Sequence, residues 1–161
     1  MSDIDTGDLA PSTETPRTAQ QAGPQADAFL QFLVNLVNSG TALQSVGVTL
    51  QIDGMLVGGH IISGAEYFDR FAVAFSDALT GEQAGSREAV RTALAGFGDV
   101  FRQEQPASPL PNYIHLTNAQ FFTTDGKPIS QQPVLWRGRL AEVDGFVLGN
   151  LQWTDAASGN S

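Results

Sequence analysis

Two of the three Asp-Gly dipeptides, each set directly between runs of alternating apolar residues, constrain this chain more than any other feature; the third, in Asp125-Gly126-Lys127-Pro128, reads as a turn or short loop. Asp53-Gly54 separates Val46, Val48, Leu50 and Ile52 from Met55, Val57 and Ile61. Period-two alternation marks half-buried strands, and Asp-Gly is a two-residue hairpin turn that requires positive φ. In that register Ile52 faces Met55, Leu50 faces Val57 and Val46 faces Ile61. One face is then apolar, and the other carries Ser45, Thr49, Gln51 and His60. Asp144-Gly145 stands in the same way between Val134–Val143 and Phe146–Trp153. Read as a hairpin, it sets Val143 against Phe146, Leu140 against Gly149, Gly138 against Leu151 and Trp136 against Trp153. Strands joined by tight turns are antiparallel.

Helices fill the intervals. Phe29, Phe32, Leu33, Leu36 and Val37 recur at helical spacing, with Asp27 as N-cap and Gly40 as stop. Ser63-Gly-Ala-Glu66 is a capping box, and Phe68, Phe71, Ala72, Phe75 and Leu79 form the stripe of the helix it opens. Glu66 and Arg70 are ordered for an i,i+4 ion pair. Another helix is predicted from about Ser86 to Arg102, with Val90, Ala93, Leu94, Phe97 and Phe101 inward and Gly96 and Gly98 weakening it. Pro106, Pro109 and Pro111 force a loop before a strand over Tyr113–Phe122. The order α-β-β-α-α-β-β-β predicts an α+β fold, an antiparallel sheet of about five strands with helices packed on one face.

The predicted domain covers residues 27–153. Residues 1–26 hold no aromatic side chain, three prolines, and Asp3, Asp5, Asp8 and Glu14 against Arg17 alone, so they read as a disordered acidic tail. Residues 154–161 read as a frayed terminus. The whole chain has 17 acidic and 8 basic side chains, a net charge of −9, yet only 16% charged residues. That balance argues against nucleic-acid binding, which needs clustered Lys and Arg. Without cysteine there is no disulfide, thiolate metal site or Cys nucleophile. No apolar run approaches the ~20 residues of a membrane span. The N-terminus lacks the basic and apolar regions of a secretory signal. A soluble, cytoplasmic protein is expected.

Residues that could carry chemistry are sparse. His60 and His115 lie on different predicted strands without metal-ligand spacing. No Gly-x-Ser-x-Gly elbow is present. Glu142 and Asp144 flank Val143, but Asp144 is explained as the turn residue and Glu142 as a strand-end charge. No catalytic, cofactor-binding or metal residue is therefore assigned. Gly58-Gly59 within a strand indicates a bulge or a close backbone approach, and Gly138 makes room for a neighbouring Trp.

Trp136, Leu140, Val147, Leu151 and Trp153 share the expected core face of the last hairpin. Its reverse face carries Arg137, Arg139, Asn150 and Gln152 at the open end, and Ala141, Val143, Phe146 and Leu148 at the turn end. If the helices cover only the Trp face, Val143, Phe146 and Leu148 form an exposed apolar patch rimmed by Arg137 and Arg139, a candidate protein interface. Alternatively the sheet curls, or a helix covers the patch.

The segment Trp136-Arg137-Gly138-Arg-Leu-Ala-Glu142-Val-Asp144-Gly145-Phe146-Val-Leu-Gly149 resembles the signature of the gas vesicle accessory protein GvpU family. So does Tyr113-Ile-His115-Leu-Thr-Asn118. Gly58-Gly-His-Ile-Ile-Ser63, followed by Glu66-Tyr67-Phe68, is also similar. The resemblance covers roughly residues 43–80 and 112–153. It implies a non-enzymatic protein without cofactors that assists vesicle formation or controls vesicle clustering in the cytoplasm. The implied partners are the vesicle shell or other gas vesicle proteins, with self-association supplying valency. Two other readings stand beside it. One is a small-ligand pocket or cryptic active site lined by Trp136, Trp153, Tyr113 and His115. The other is a chaperone-like adaptor for the hydrophobic shell protein.

Overall fold

A computed structural model describes residues 24–103 and 109–151. Residues 1–23 of the expected tail, the frayed terminus, Pro106, Gln152 and Trp153 lie outside those residues, whereas Pro24–Ala26 are described and Ala26 packs against the core. The elements run α1 (Ala28–Ser39), β1 (Val46–Ile52), β2 (Met55–Ile61), α2 (Gly64–Asp77), α3 (Arg87–Ala95), β3 (Tyr113–Thr123), β4 (Val134–Arg139) and β5 (Gly145–Leu148). Short 3-10 segments flank α3 at Gly81–Ser86 and Gly96–Phe101, and another spans Leu140–Glu142. The helix expected to reach Arg102 thus loses its α-helical winding where Gly96 and Gly98 weaken it.

Local signals act as expected at the helix starts. Asp27 Oδ1 accepts from Leu30 N at 2.8 Å, and Ser63 Oγ accepts from Glu66 N at 3.1 Å. Glu66 itself turns to Arg70 in the expected ion pair. Gly40 closes α1 at φ +64.

The five strands form one antiparallel sheet in the order β4-β3-β2-β1-β5. The β1–β2 hairpin has the expected register, with Ile52 against Met55, Leu50 against Val57 and Val46 against Ile61. Asp53 and Gly54 take φ +47 and +75, as the turn demands. The second expected hairpin does not form. β4 pairs with β3, placing Trp136 against Leu116, Gly138 against Ile114 and Arg137 against His115. β5 pairs with β1, placing Phe146 against Leu50 and Leu148 against Val48.

This topology requires a curled sheet. Four strand spacings of ~4.8 Å separate β4 from β5 in a flat sheet, and the ladders set Arg139 beyond the Ile61 end of β2 but Gly145 beside Gln51, near the opposite end of the strands. The six steps from Arg139 to Gly145 reach at most ~21 Å. The two edges must therefore approach one another. Leu140, fully buried in the core, anchors the crossing segment. The Asp144 amide ends the crossing by donating to Gln51 O at 2.9 Å.

The helices divide between the two faces instead of sharing one. α1 buries Leu30, Val34 and Val37 against Val48, Leu50, Val57, Ile61, Ile114 and Leu116. The alternating pleat turns His115 away from Ile114 and Leu116, to the opposite face. There it meets Tyr67 and Phe68 of α2 and Phe101. The phase of the α1 stripe also differs from expectation, because Phe29 and Phe32 are 57% and 51% exposed. Phe75 and Phe97 are exposed as well.

Both expectations for Gly58-Gly59 hold. A Cβ at Gly58 would collide with the backbone of Leu151, and the β2–β3 register shifts between Gly58 and His60. A Cβ at Gly138 would collide with the ring of Trp136.

Candidate interaction surfaces

Three segments far apart in sequence meet around His115. β3 supplies the imidazole, which is completely buried. Its ring centroid lies 4.7 Å from that of Tyr67, 5.6 Å from Phe101 and 5.8 Å from Phe68. Arg137, across the β3–β4 ladder, donates from Nε to His115 Nε2 at 3.3 Å. Because Nε2 accepts, the proton of the neutral ring sits on Nδ1. That nitrogen has no hydrogen-bond partner among the described residues. Burial, and then the Arg137 charge, push the His115 pKa down to about 4. The ring is thus neutral near pH 7 and sealed from solvent, which suits a packing and acceptor role. Burial also raises the Tyr67 hydroxyl above its ordinary pKa, against the opposing pull of Arg137.

Arg137 is held from two sides. Its guanidinium carbon lies 3.6 Å from the Tyr113 ring centroid and 6.0 Å from that of Phe68. Such stacking fixes the plane of the guanidinium while leaving its outer nitrogens available. Arg139 follows on the same face, 3.6 Å from a Glu142 carboxylate oxygen. A groove of about 710 Å³ adjoins it, lined in part by Ala28, Gln31, Asn112, Tyr113 and Ala141.

The expected apolar patch rimmed by arginines is not a single surface. Arg137 and Arg139 belong to one edge strand and point to the His115 face. Phe146 and Leu148 belong to the other edge strand and share the face of Leu50 and Val48. Val143 and Phe146 are half-buried against the core, and Phe146 stacks on Phe29 at 6.1 Å. A helix therefore covers Phe146 in part, and Leu148 stays outward at 65% exposure.

The remaining motif residues serve the crossing and its ends. Trp136 packs edge-on to Phe121. Asp144 Oδ2 accepts from Asp53 N at 3.0 Å, joining the Asp144-Gly145 site to the β1–β2 turn. Gly149, at φ +106, donates to Gly47 O at 2.9 Å. Thr49 Oγ1 then donates to Gly149 O and accepts from Leu151 N, so residues 149–151 leave the β5 line and cross the face at Gly58. Sequence reasoning missed this strap, although the glycine in β2 was its signal. Helical spacing marked Phe101 as inward, but no local pattern pointed to His115 as the ring it walls.

Trp136, Tyr113 and His115 do not line one cavity. Trp136 lies on the core face, and His115 is enclosed on the other. Among the described residues no group of three His, Asp or Glu side chains could hold a metal ion. No helix among them is long and apolar enough to cross a membrane.

The α+β domain thus seals its one buried histidine, carries two arginines on one edge strand and leaves apolar side chains outward on α1 and β5. A family model described as gas vesicle protein GvpU-like matches residues 27–151, and the chain belongs to that family. Comparisons with curated proteins and with solved structures find no match.

Proposed function

We propose that this chain is a non-enzymatic gas vesicle accessory protein. It acts in the cytoplasm and assists vesicle formation or modulates vesicle clustering through contacts with shell or other gas vesicle proteins. The observation that carries this reading is the family match across residues 27–151. The surface supports it, because Phe29, Phe32 and Leu148 expose more than half of their area and Phe29 stacks on the half-buried Phe146. Outward aromatic and aliphatic side chains of this kind serve protein contacts. Self-association of the domain would supply the valency that clustering needs.

Co-flotation with intact purified vesicles tests the reading. The wild-type chain is expected to float with them, and Phe32→Asp combined with Leu148→Asp is expected to stay in the subnatant while remaining folded by circular dichroism. Absence of wild-type co-flotation, together with a strict monomer across the micromolar range in sedimentation, defeats the reading. Capture of unassembled shell subunits but not of vesicles would instead assign the chain as an adaptor for the shell protein.

A further inference from the structure

We propose that the outward edge of β4 docks an extended acidic segment of a partner protein, which adds to the sheet as a further strand and sets a carboxylate on Arg137. This deepens the reading above and rests on its premise that the chain works through protein contacts. Three observations lead to it.

First, β4 is an edge. Among the described residues it pairs only with β3, so the peptide groups on its other side are open to strand addition. Secondly, Arg137 is a pre-positioned cation without an anion. Arg70, Arg91, Arg102, Lys127 and Arg139 each have a carboxylate partner, Arg87 is bound to the Leu79 carbonyl, and Arg137 has no carboxylate among the described residues. It is nonetheless positioned, by the Tyr113 face and by a fully buried His115 acceptor. Nε is occupied by His115, and the two outer nitrogens form the fork that a carboxylate matches. A side chain ordered before binding loses less entropy on binding. Thirdly, Arg139 lies two residues along on the same face, at the spacing with which an extended strand presents alternate side chains. Its pairing with Glu142 is solvent-exposed and weak enough to exchange. The groove beside Arg139 continues past the end of β4 and can receive further residues of the segment.

The occupant is a peptide and not a nucleic acid or another polyanion. A chain of net charge −9 opposes a polyanion as a whole, whereas one carboxylate on a local fork is governed by short-range geometry. Only a peptide also offers the backbone donors and acceptors that an open strand edge takes.

The test uses the full chain labelled with 15N and an acetylated, amidated heptapeptide alternating glutamate with valine. The matched peptide with glutamine in place of glutamate is the control. Expected are chemical-shift changes centred on the amides of residues 134–139 and on Arg137 Nε–H, with slowed amide exchange along β4. The glutamine peptide, and Arg137→Gln with the glutamate peptide, should each bind about tenfold more weakly, the loss of one charge-assisted contact. Equal binding of the two peptides, shifts centred elsewhere, or no shifts at millimolar peptide overturns the proposal. So does heparin shifting the same residues when the glutamate peptide does not. Should Arg137→Gln fail to fold, the two peptides on the wild-type chain still decide. If β4 responds as expected but the wild-type chain does not float with vesicles, the docking surface stands and the gas vesicle reading falls.

Discussion

Asp53-Gly54 and Asp144-Gly145 carry the same local signal and end in different structures. The first turns with positive φ at both residues and joins two strands that pair along their length. At the second, neither residue takes positive φ, and the strands on either side separate to opposite edges of the sheet. The difference lies in what the flanking residues bury. Every inward residue of β1 and β2 finds its place on one face when the two strands pair with each other. Around Asp144, Leu140 is drawn fully into the core and Phe146 packs onto Leu50 and Phe29. A hairpin would have held those side chains in one two-stranded ribbon. An Asp-Gly dipeptide permits a tight turn, and burial of its neighbours decides whether the turn is used.

The largest test of that contrast is Leu140→Ala. Leu140 anchors the crossing, so its truncation should cost about 2–5 kcal/mol in urea unfolding. A loss below 1 kcal/mol would mean that the crossing is not held from within.

Burial of His115 under α2 and Phe101, with the Arg137 charge that the β3–β4 register adds, predicts a pH effect on stability. The folded His115 titrates at about 4, below its unfolded value of about 6.5. The unfolded chain therefore binds more protons between those values. The stability contribution is complete above pH ~6.5 and is lost as pH falls toward 4, by about 3 kcal/mol. Denaturant titrations of wild type and His115→Gln should differ in slope within this window and run parallel above it. Parallel behaviour throughout would place His115 outside the buried nest.

Smaller effects separate the turns directly. Gly54→Val forces a β-branched residue to φ +75 and should cost about 1–3 kcal/mol. Gly145→Val should change stability by no more than about 0.5 kcal/mol, because Gly145 lacks positive φ and a Cβ there meets nothing within 4 Å. Read from a hairpin, the two substitutions would have been equivalent. Thermal melts of the pair check the contrast, and equal losses would restore the second hairpin.

Much of the candidate surface was legible as residue types and little of it as arrangement. Arg137 and Arg139 stand out as the cations of an otherwise neutral strand, and Phe146 and Leu148 as its apolar continuation. Their division between two edges was not legible, because the dipeptide set directly between their strands signalled a hairpin that does not form. His115 and Tyr67 occur in separate motifs, and only the register of β2 with β3 and the turn into α2 bring them together.

Local chemistry in the sequence determined the capped starts of α1 and α2, the β1–β2 hairpin, the breaks at Gly96 and Gly98, and the places where only glycine fits. These follow from backbone sterics and short-range hydrogen bonds, which a few adjacent residues settle. Tertiary structure decided the partners of β4 and β5, the two-faced placement of the helices, the sealing of His115 and the outward turn of Phe29 and Phe32. Those depend on which apolar surfaces cover one another, a competition settled across the whole chain and encoded at no single position.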